Sequence, residues 1–257
     1  MRKQSGDKFN MNQHQAVIST IEHLGGIATL SEIYRNIFNI SDCEWHTKTP
    51  FASIRRIVQT NKSIYKIKPG LYALVGRRKE FEEKGIISEM QTRDNSEMTN
   101  NFNHSYYQGL LIEIGNLYQL GTFVPNQDKN KLFLRKKLGE ITTIKKIPDF
   151  SYQNLVKKSS TIDVIWFNSR KMPASFFEIE HTTDIQNSLL KYEELQDFSA
   201  KMIIVADERR RNEFNYKMEY SAFRDLTQNK RVDFLSYDKV GKIYESELTK
   251  SNIGLDV

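Results

Sequence analysis

Residues 161–181 read TIDVIWFNSRKMPASFFEIEH. Thr161–Phe167 is a short apolar run rich in β-branched and aromatic residues, the composition of a buried strand. Asn168–Pro173 reads as a turn, and Ala174–His181 as a second strand. Both strands carry what a buried strand should avoid. Asp163 lies among Ile162, Val164 and Ile165, and Glu178 and Glu180 flank Ile179. A buried carboxylate without compensation is costly. Side chains alternate along a strand, so Glu178 and Glu180 share one face, and a hairpin of the two strands can set Asp163 beside it. Three convergent carboxylates with no cysteine nearby make a hard oxygen site suited to Mg2+ or Mn2+.

The neighbouring segments continue an α/β pattern. Thr183 or Asp184 can cap a helix over Ile185–Phe198. KMIIVA at Lys201–Ala206 is a third buried strand, Glu208–Lys217 a charged helix and Val232–Ser236 a last strand. Upstream, Tyr106–Leu120 is an apolar helix with Glu113 embedded in it. Gly121 ends it, and Thr122–Val124 begins a short strand. Asn126–Lys137 is basic and reads as a loop or an edge hairpin. Leu138–Ile147 and Phe150–Ser159 have no clear period. His104 and His181 lack ligand-spaced partners and read as structural or surface residues. Pro148-Asp149 reads as a loop, and Arg209, Arg210 and Arg211 as a solvated helix face able to touch phosphates.

Helix, strand, strand with Asp, turn, strand with Glu, helix, strand resembles the core of the PD-(D/E)XK nuclease superfamily over about residues 105–237. The resemblance implies a central mixed sheet flanked by helices, with Asp163 and Glu178 as metal ligands. The superfamily's lysine, which orients and activates the attacking water, falls at Glu180 in this chain. Some restriction enzymes of the superfamily carry Glu there, so Glu180 can position water, or the lysine role can pass to Lys191 on the next helix. By the same resemblance Glu113 matches an acidic residue of the first helix, and Gln196 a glutamine found on the later helix in some relatives. Mg2+ is the implied cofactor, with Mn2+ substituting.

Residues 1–80 hold 13 Lys/Arg and 6 Asp/Glu, a balance of +7 in a chain whose net charge is +6; the remainder stands at −1. That is the split expected when one segment grips a polyanion and another does something else. Gln13–Leu24 has helical spacing at Val17, Ile18, Ile21 and Leu24, and Gly25-Gly26 stops it. Thr29 with Glu32 forms a capping box for a helix whose apolar face is Leu30, Ile33, Ile37 and Phe38. Thr49-Pro50 opens a third helix that turns Ile54 and Ile57 inward, with Val58 at the margin. Its Ser53, Arg55, Arg56 and Gln59 face solvent or a ligand. Ser63–Ile67 and Leu71–Val75, joined around Lys68-Pro69-Gly70, read as a hairpin.

Three helices and a hairpin in that order describe a winged helix, mainly α with a β-hairpin wing, whose third helix enters a major groove. Arg55 and Arg56 suit guanine edges or phosphate, and Lys62, Lys66 and Lys68 suit phosphates. The stretches HQAVISTIEHLGGIATLSEIY, TPFASIRRIV and YKIKPGLYAL also resemble the HARE-type helix-turn-helix, a winged-helix family found fused to restriction nucleases. Members are proposed to sense modified DNA.

Composition bounds the rest. The 257 residues are 39% hydrophobic and 27% charged, too apolar for disorder. No run approaches the ~20 apolar residues of a spanning helix. One cysteine, Cys43, excludes an internal disulfide framework and points to the cytoplasm. We therefore expect a multi-domain chain: a winged-helix DNA-binding domain over 1–78, a polar linker over 79–104 with a short helix near Lys79–Ile87, and an α/β nuclease domain over 105–257. The expected function is a type II restriction endonuclease acting as a homodimer on double-stranded DNA, with no membrane partner. Sensitivity to base modification is open within that reading. The alternatives are a DNA-binding regulator with a decayed nuclease core, or a repair or RNA nuclease on the same fold.

Overall fold

A computed structural model describes residues 11–40, 43–86 and 93–253. The chain divides into two compact units, Met1–Glu83 with Leu248–Val257, and Lys84–Glu247. Among the described residues no helix is long and apolar enough to cross a membrane.

The first unit begins with α1 (Gln13–His23), capped by Asn12, whose Oδ1 accepts from Gln15 N at 2.9 Å. Gly25 and Gly26 both take positive φ, the conformation glycine enters at no steric cost, and the chain turns into β1 (Ile27–Thr29). Thr29 then caps α2 (Leu30–Ile40): Glu32 N donates to Thr29 Oγ1 at 3.2 Å, and Thr29 N to Glu32 Oε2 at 2.9 Å. α3 (Pro50–Thr60) follows, then β2 (Ile64–Lys68) and β3 (Leu71–Leu74). Gly70 supplies the positive φ of the turn between the two strands. The sheet has three strands in the order β1-β3-β2, all antiparallel. The sequence pattern does not reveal β1, because three residues between glycines and a cap are too few to show a period. Val58 is buried outright rather than marginal, and Phe38 is about half exposed, at 48%, outside the buried face expected of it. A short α4 (Arg78–Glu83) closes this part.

The second unit opens with α5, a helix of 25 residues over Arg93–Leu117. Its first turns occupy the end of the stretch expected to be a linker; residues 87–92 lie outside the described residues. Polar composition does not forbid a helix, and residues 93–108 contain no Pro or Gly to break one. The chain continues through β4 (Gly121–Phe123), a small hairpin of β5 (Leu132–Phe133) and β6 (Lys136–Lys137), α6 (Leu138–Ile141) and α7 (Gln153–Ser159). Then come β7 (Val164–Phe167), β8 (Pro173–Glu180), α8 (Ile185–Glu193), β9 (Lys201–Ala206), α9 (Arg211–Met218), α10 (Arg224–Gln228), β10 (Val232–Ser236) and α11 (Tyr237–Ile253).

Five strands form one mixed sheet in the order β10-β9-β8-β7-β4. β8 runs parallel to β9 and antiparallel to β7, so it is the strand where direction changes. α8 covers one face, where Ile165, Phe167 and Phe176 pack with Ile185, Leu189 and Tyr192. α5 covers the other. Trp166 stands 4.5 Å from Phe177, ring to ring, and donates Nε1 to the Leu111 carbonyl at 3.0 Å. This close approach depends on Gly115, where a Cβ would lie 2.6 Å from Trp166 Nε1 and Thr122 Cγ2.

Candidate active site

Asp163 sits in the turn between α7 and β7, one residue before the strand. Its carboxylate is pinned by the neighbouring strand: Ile179 N donates to Oδ2 at 2.8 Å. Its own main-chain N donates to Glu178 Oε1 at 3.3 Å. Asp163 and Glu178 therefore meet through reciprocal backbone contacts.

Glu178 and Glu180 close β8 at the carboxyl end it shares with β9, opposite Ile204 and Ala206. Both are buried, at 3% and 4% exposed, and both face α8. That helix is capped by Asp184, whose Oδ1 accepts from Gln186 N at 2.9 Å. Thr183, the other capping candidate, instead bonds Glu180 Oε2. Ser188 and Lys191, three residues apart, lie on one side of α8. Ser188 Oγ contacts Glu178 Oε2 at 2.9 Å and also Glu180 Oε1. Lys191 Nζ lies 2.7 Å from Glu178 Oε2 and 3.3 Å from the Thr161 carbonyl.

A hydroxyl has one proton to donate. Ser188 can satisfy only one of its two carboxylates, and the other contact needs a protonated carboxyl donating to Oγ. The electrostatics agree. Burial, then the Asp163 charge, push the Glu178 carboxyl up to about 8 against the pull of Lys191 and Ser188. Burial opposes the Lys191 ammonium, but Glu178, then Asp163 and Glu180, hold it above its usual value.

α5 brings two further groups. His104 Nε2 is 3.5 Å from Asp163 Oδ1. Burial alone would lower this imidazole, but its contact with Asp163 and that charge leave it raised. One turn on, the fully buried Gln108 donates Nε2 to Asp128 Oδ2 at 2.7 Å and to the Asp163 carbonyl at 3.1 Å. Asp128 is itself 1% exposed and pairs with Lys131 at 2.6 Å. One potential ligand atom from each of His104, Asp128 and Asp163 lies within 4.8 Å of the others.

The structure thus gathers Asp163, Glu178, Glu180 and Lys191, and adds His104, Gln108 and Asp128. His104, read from sequence as lacking partners, contacts Asp163. Its one signal in the sequence is its i, i+4 spacing to Gln108 on α5. Asp128 carried no signal in its basic loop. Glu113 is not part of the gathering. It accepts from Tyr244 Oη at 2.5 Å, and nine residues from His104 place it about 180° around α5. Gln196 also stands apart, because α8 ends at Glu193 rather than Phe198; Gln196 Nε2 donates to Glu193 Oε1 at 3.0 Å.

In the first unit, Arg56, Gln59, Lys62 and Lys66 are exposed, while Ser53, Arg55 and Lys68 are partly buried. Arg55 donates to Thr249 Oγ1 at 2.9 Å, and burial pushes the Lys68 ammonium down to about 8.

Fold and site together define an α/β protein with an acidic centre at the carboxyl end of a direction-changing strand. The family profile described as "Type II restriction enzyme NmeDI C-terminal domain" matches residues 86–252, and the chain belongs to that family. The type II restriction enzyme NmeDI of Neisseria meningitidis serogroup C is 24% identical over 194 residues, 66% of this chain and 54% of that enzyme. The chain spans about half the length of that curated relative. No solved structure matches the chain significantly.

Proposed function

We propose that this chain is a divalent-metal-dependent DNA endonuclease of the type II restriction class, built on a PD-(D/E)XK-type core. The observation that carries the reading is Lys191 on Glu178, with Asp163 joined to the same carboxylate through its backbone. Family membership supports the restriction class.

The residues suit a hard cation. Asp163 and Glu178 offer carboxylate oxygens, and the Ser188 hydroxyl has one proton for two carboxylates, a shortage that positive charge relieves. Mg2+ fits this donor set, and Mn2+ fits it also. When bound, the ion supplies charge for a scissile phosphate and acidifies an attacking water. The chain's own residues do the rest. Ile179 N fixes Asp163. Ser188 and Lys191 fix Glu178, and Lys191 is placed to orient a water and stabilise developing negative charge. Glu180, held by Ser188 and Thr183, positions Ser188 rather than taking the lysine's part.

Charge supports DNA as the substrate. Residues 129–158 hold nine Lys/Arg and two Asp/Glu, and this segment lies between Asp128 and Asp163 in the chain. Such a segment suits phosphates near the site. In the first unit we read a winged helix over 1–78, with Arg56, Gln59, Lys62 and Lys66 as contacts and Ser53, Arg55 and Lys68 in support. Cutting both strands favours a homodimer, one centre per strand.

Methylated and unmethylated plasmid, incubated with the protein in Mg2+ or in EDTA, test this. Discrete linear products in Mg2+ alone are expected, and a difference between the plasmids marks sensitivity to base modification. Binding without cutting in Mg2+ or Mn2+ would replace the reading with that of a regulator on a decayed core.

A further inference from the structure

We propose that a lysine-rimmed trough beside the candidate active site holds a short unpaired stretch of DNA strand, drawn out of the duplex next to the scissile phosphate. The proposal deepens the endonuclease reading and rests on it for which strand enters. Two grooves, of about 570 Å³ and about 470 Å³, make up the trough and share Lys146, Ile147 and Ser160. Pockets of roughly 300–1,000 Å³ enclose small organic ligands, so each groove has room for a nucleotide. The larger groove reaches Thr161, whose carbonyl lies 3.3 Å from Lys191 Nζ, the lysine on Glu178. A strand held at Lys191 has the trough as its next surface.

The lining has three parts, and each matches one part of a nucleotide. The rim is cationic. Lys129, Lys145, Lys146 and Lys157 pair with no carboxylate among the described residues. Lys129 Nζ donates to the Lys145 carbonyl at 2.5 Å, and Lys145 Nζ to the Thr142 carbonyl at 2.7 Å. The one acid lining the trough among the described residues, Asp149, accepts from Gln153 Nε2 at 3.4 Å. Lysines without carboxylate partners around a groove are the footprint of a phosphate backbone. Phe123, Pro125, Ile147 and Val156 make an apolar floor. Asn126, Gln127 and Asn154 add side-chain amides that make no hydrogen bond among the described residues.

A duplex offers such a groove only its sugar-phosphate edge, which uses the rim and leaves the floor and amides idle. An unpaired strand also offers base faces to the floor and base edges to the amides. Tyr152 is a second, separate observation. It directly precedes Gln153 and Asn154 of the lining, and it is 82% exposed, more than any other large hydrophobic side chain among the described residues. Unpaired bases stack on exposed aromatics that border a cationic groove, and such contacts offset the cost of unpairing.

The test uses the full chain in EDTA, with a fluorescent single-stranded oligodeoxynucleotide and its duplex as ligands. Tyr152→Ala should weaken single-strand binding by about tenfold while duplex binding stays within threefold, and Tyr152→Phe should restore it. Lys146→Gln with Lys157→Gln, both at exposed side chains, should lower the single-strand salt slope by about 0.7 for each phosphate no longer neutralised. Photocrosslinking of a strand that carries 5-iododeoxyuridine should label residues 123–161. Unchanged single-strand affinity in Tyr152→Ala, an equal loss on the duplex, an unchanged slope, or crosslinks confined to other segments overturns the trough. Plasmid cut in Mg2+ by a protein that fails these tests keeps the endonuclease reading and removes the trough. Tyr152-dependent single-strand binding by a protein that cuts plasmid in no ion keeps the trough and removes the endonuclease reading.

Discussion

Replacing Lys191 with methionine keeps most of the side-chain volume and removes its charge from Glu178. At 2.7 Å the gross attraction is about 6 kcal/mol with an effective dielectric of about 20. Lys191 is 31% exposed, so screening and the desolvation already spent leave a net of roughly 1–3 kcal/mol. For a chain of this size that lowers the melting temperature by roughly 2–12 °C. Cleavage should fall much further. If Lys191 orients the attacking water or stabilises developing charge, its loss costs about 10²–10⁴ in rate, or about 3–5 kcal/mol of barrier. Supercoiled-plasmid nicking under single-turnover conditions measures the rate, and circular dichroism melting measures the stability. Glu180→Gln is the companion variant, expected to cut within about tenfold of wild type, since Glu180 acts through Ser188. Lys191→Met cutting within threefold of wild type while Glu180→Gln is dead would refute the assignment and return the lysine's part to Glu180.

Three further outcomes are expected. Arg56→Ala should weaken DNA binding by about 1–3 kcal/mol, whereas Arg55→Ala, which loses a bond to Thr249, should lower the melting temperature more than the affinity; fluorescence anisotropy and melting separate them. Lys68 has a folded value near 8, below its usual 10.5. The unfolded chain binds more protons between those values, so the Lys68 contribution to stability is full above about 10.5 and is lost as pH falls through about 8. Denaturant midpoints should therefore rise from pH 7.5 to 9.5 in wild type relative to Lys68→Met; parallel pH curves for the two proteins would count against this. Changing Lys136, Lys146 and Lys157 together to Gln should reduce the slope of log affinity against log salt by about 0.9 for each phosphate no longer neutralised, and an unchanged slope removes residues 129–158 from the DNA path.

Much of the fold was legible where a single strong pattern spoke. Lys201–Ala206 and Val232–Ser236 are strands over the expected residues; in the first, an uninterrupted apolar run over residues 202–206 leaves few alternatives. The Thr29–Glu32 capping box formed as read, because its chemistry is local. The start of α5 was hidden: Arg93–Ser105 is polar, and its helicity shows only in the lack of a breaker. The site was half legible. Glu178 and Glu180 announced themselves as charges in an apolar strand, and Asp163 as a charge at the edge of one, in the turn that leads into β7. Ser188 and Lys191 needed the direction of α8, and His104 and Asp128 needed the tertiary fold, since a loop acid and a helix histidine have no shared period.

β8 has neighbours of opposite direction on its two sides, and this limits how the gene can drift. A loop ordinarily tolerates a residue gained or lost. In the turn over residues 168–172, such a change invites β8 to slip by one, and a slip of one exchanges its faces. Phe177 and Ile179 would then confront Ser188 and Lys191, and the glutamates would face α5. Point substitutions in that turn should accumulate freely among relatives while its length stays constant, so the length of an unremarkable surface loop becomes a marker of which relatives kept the centre.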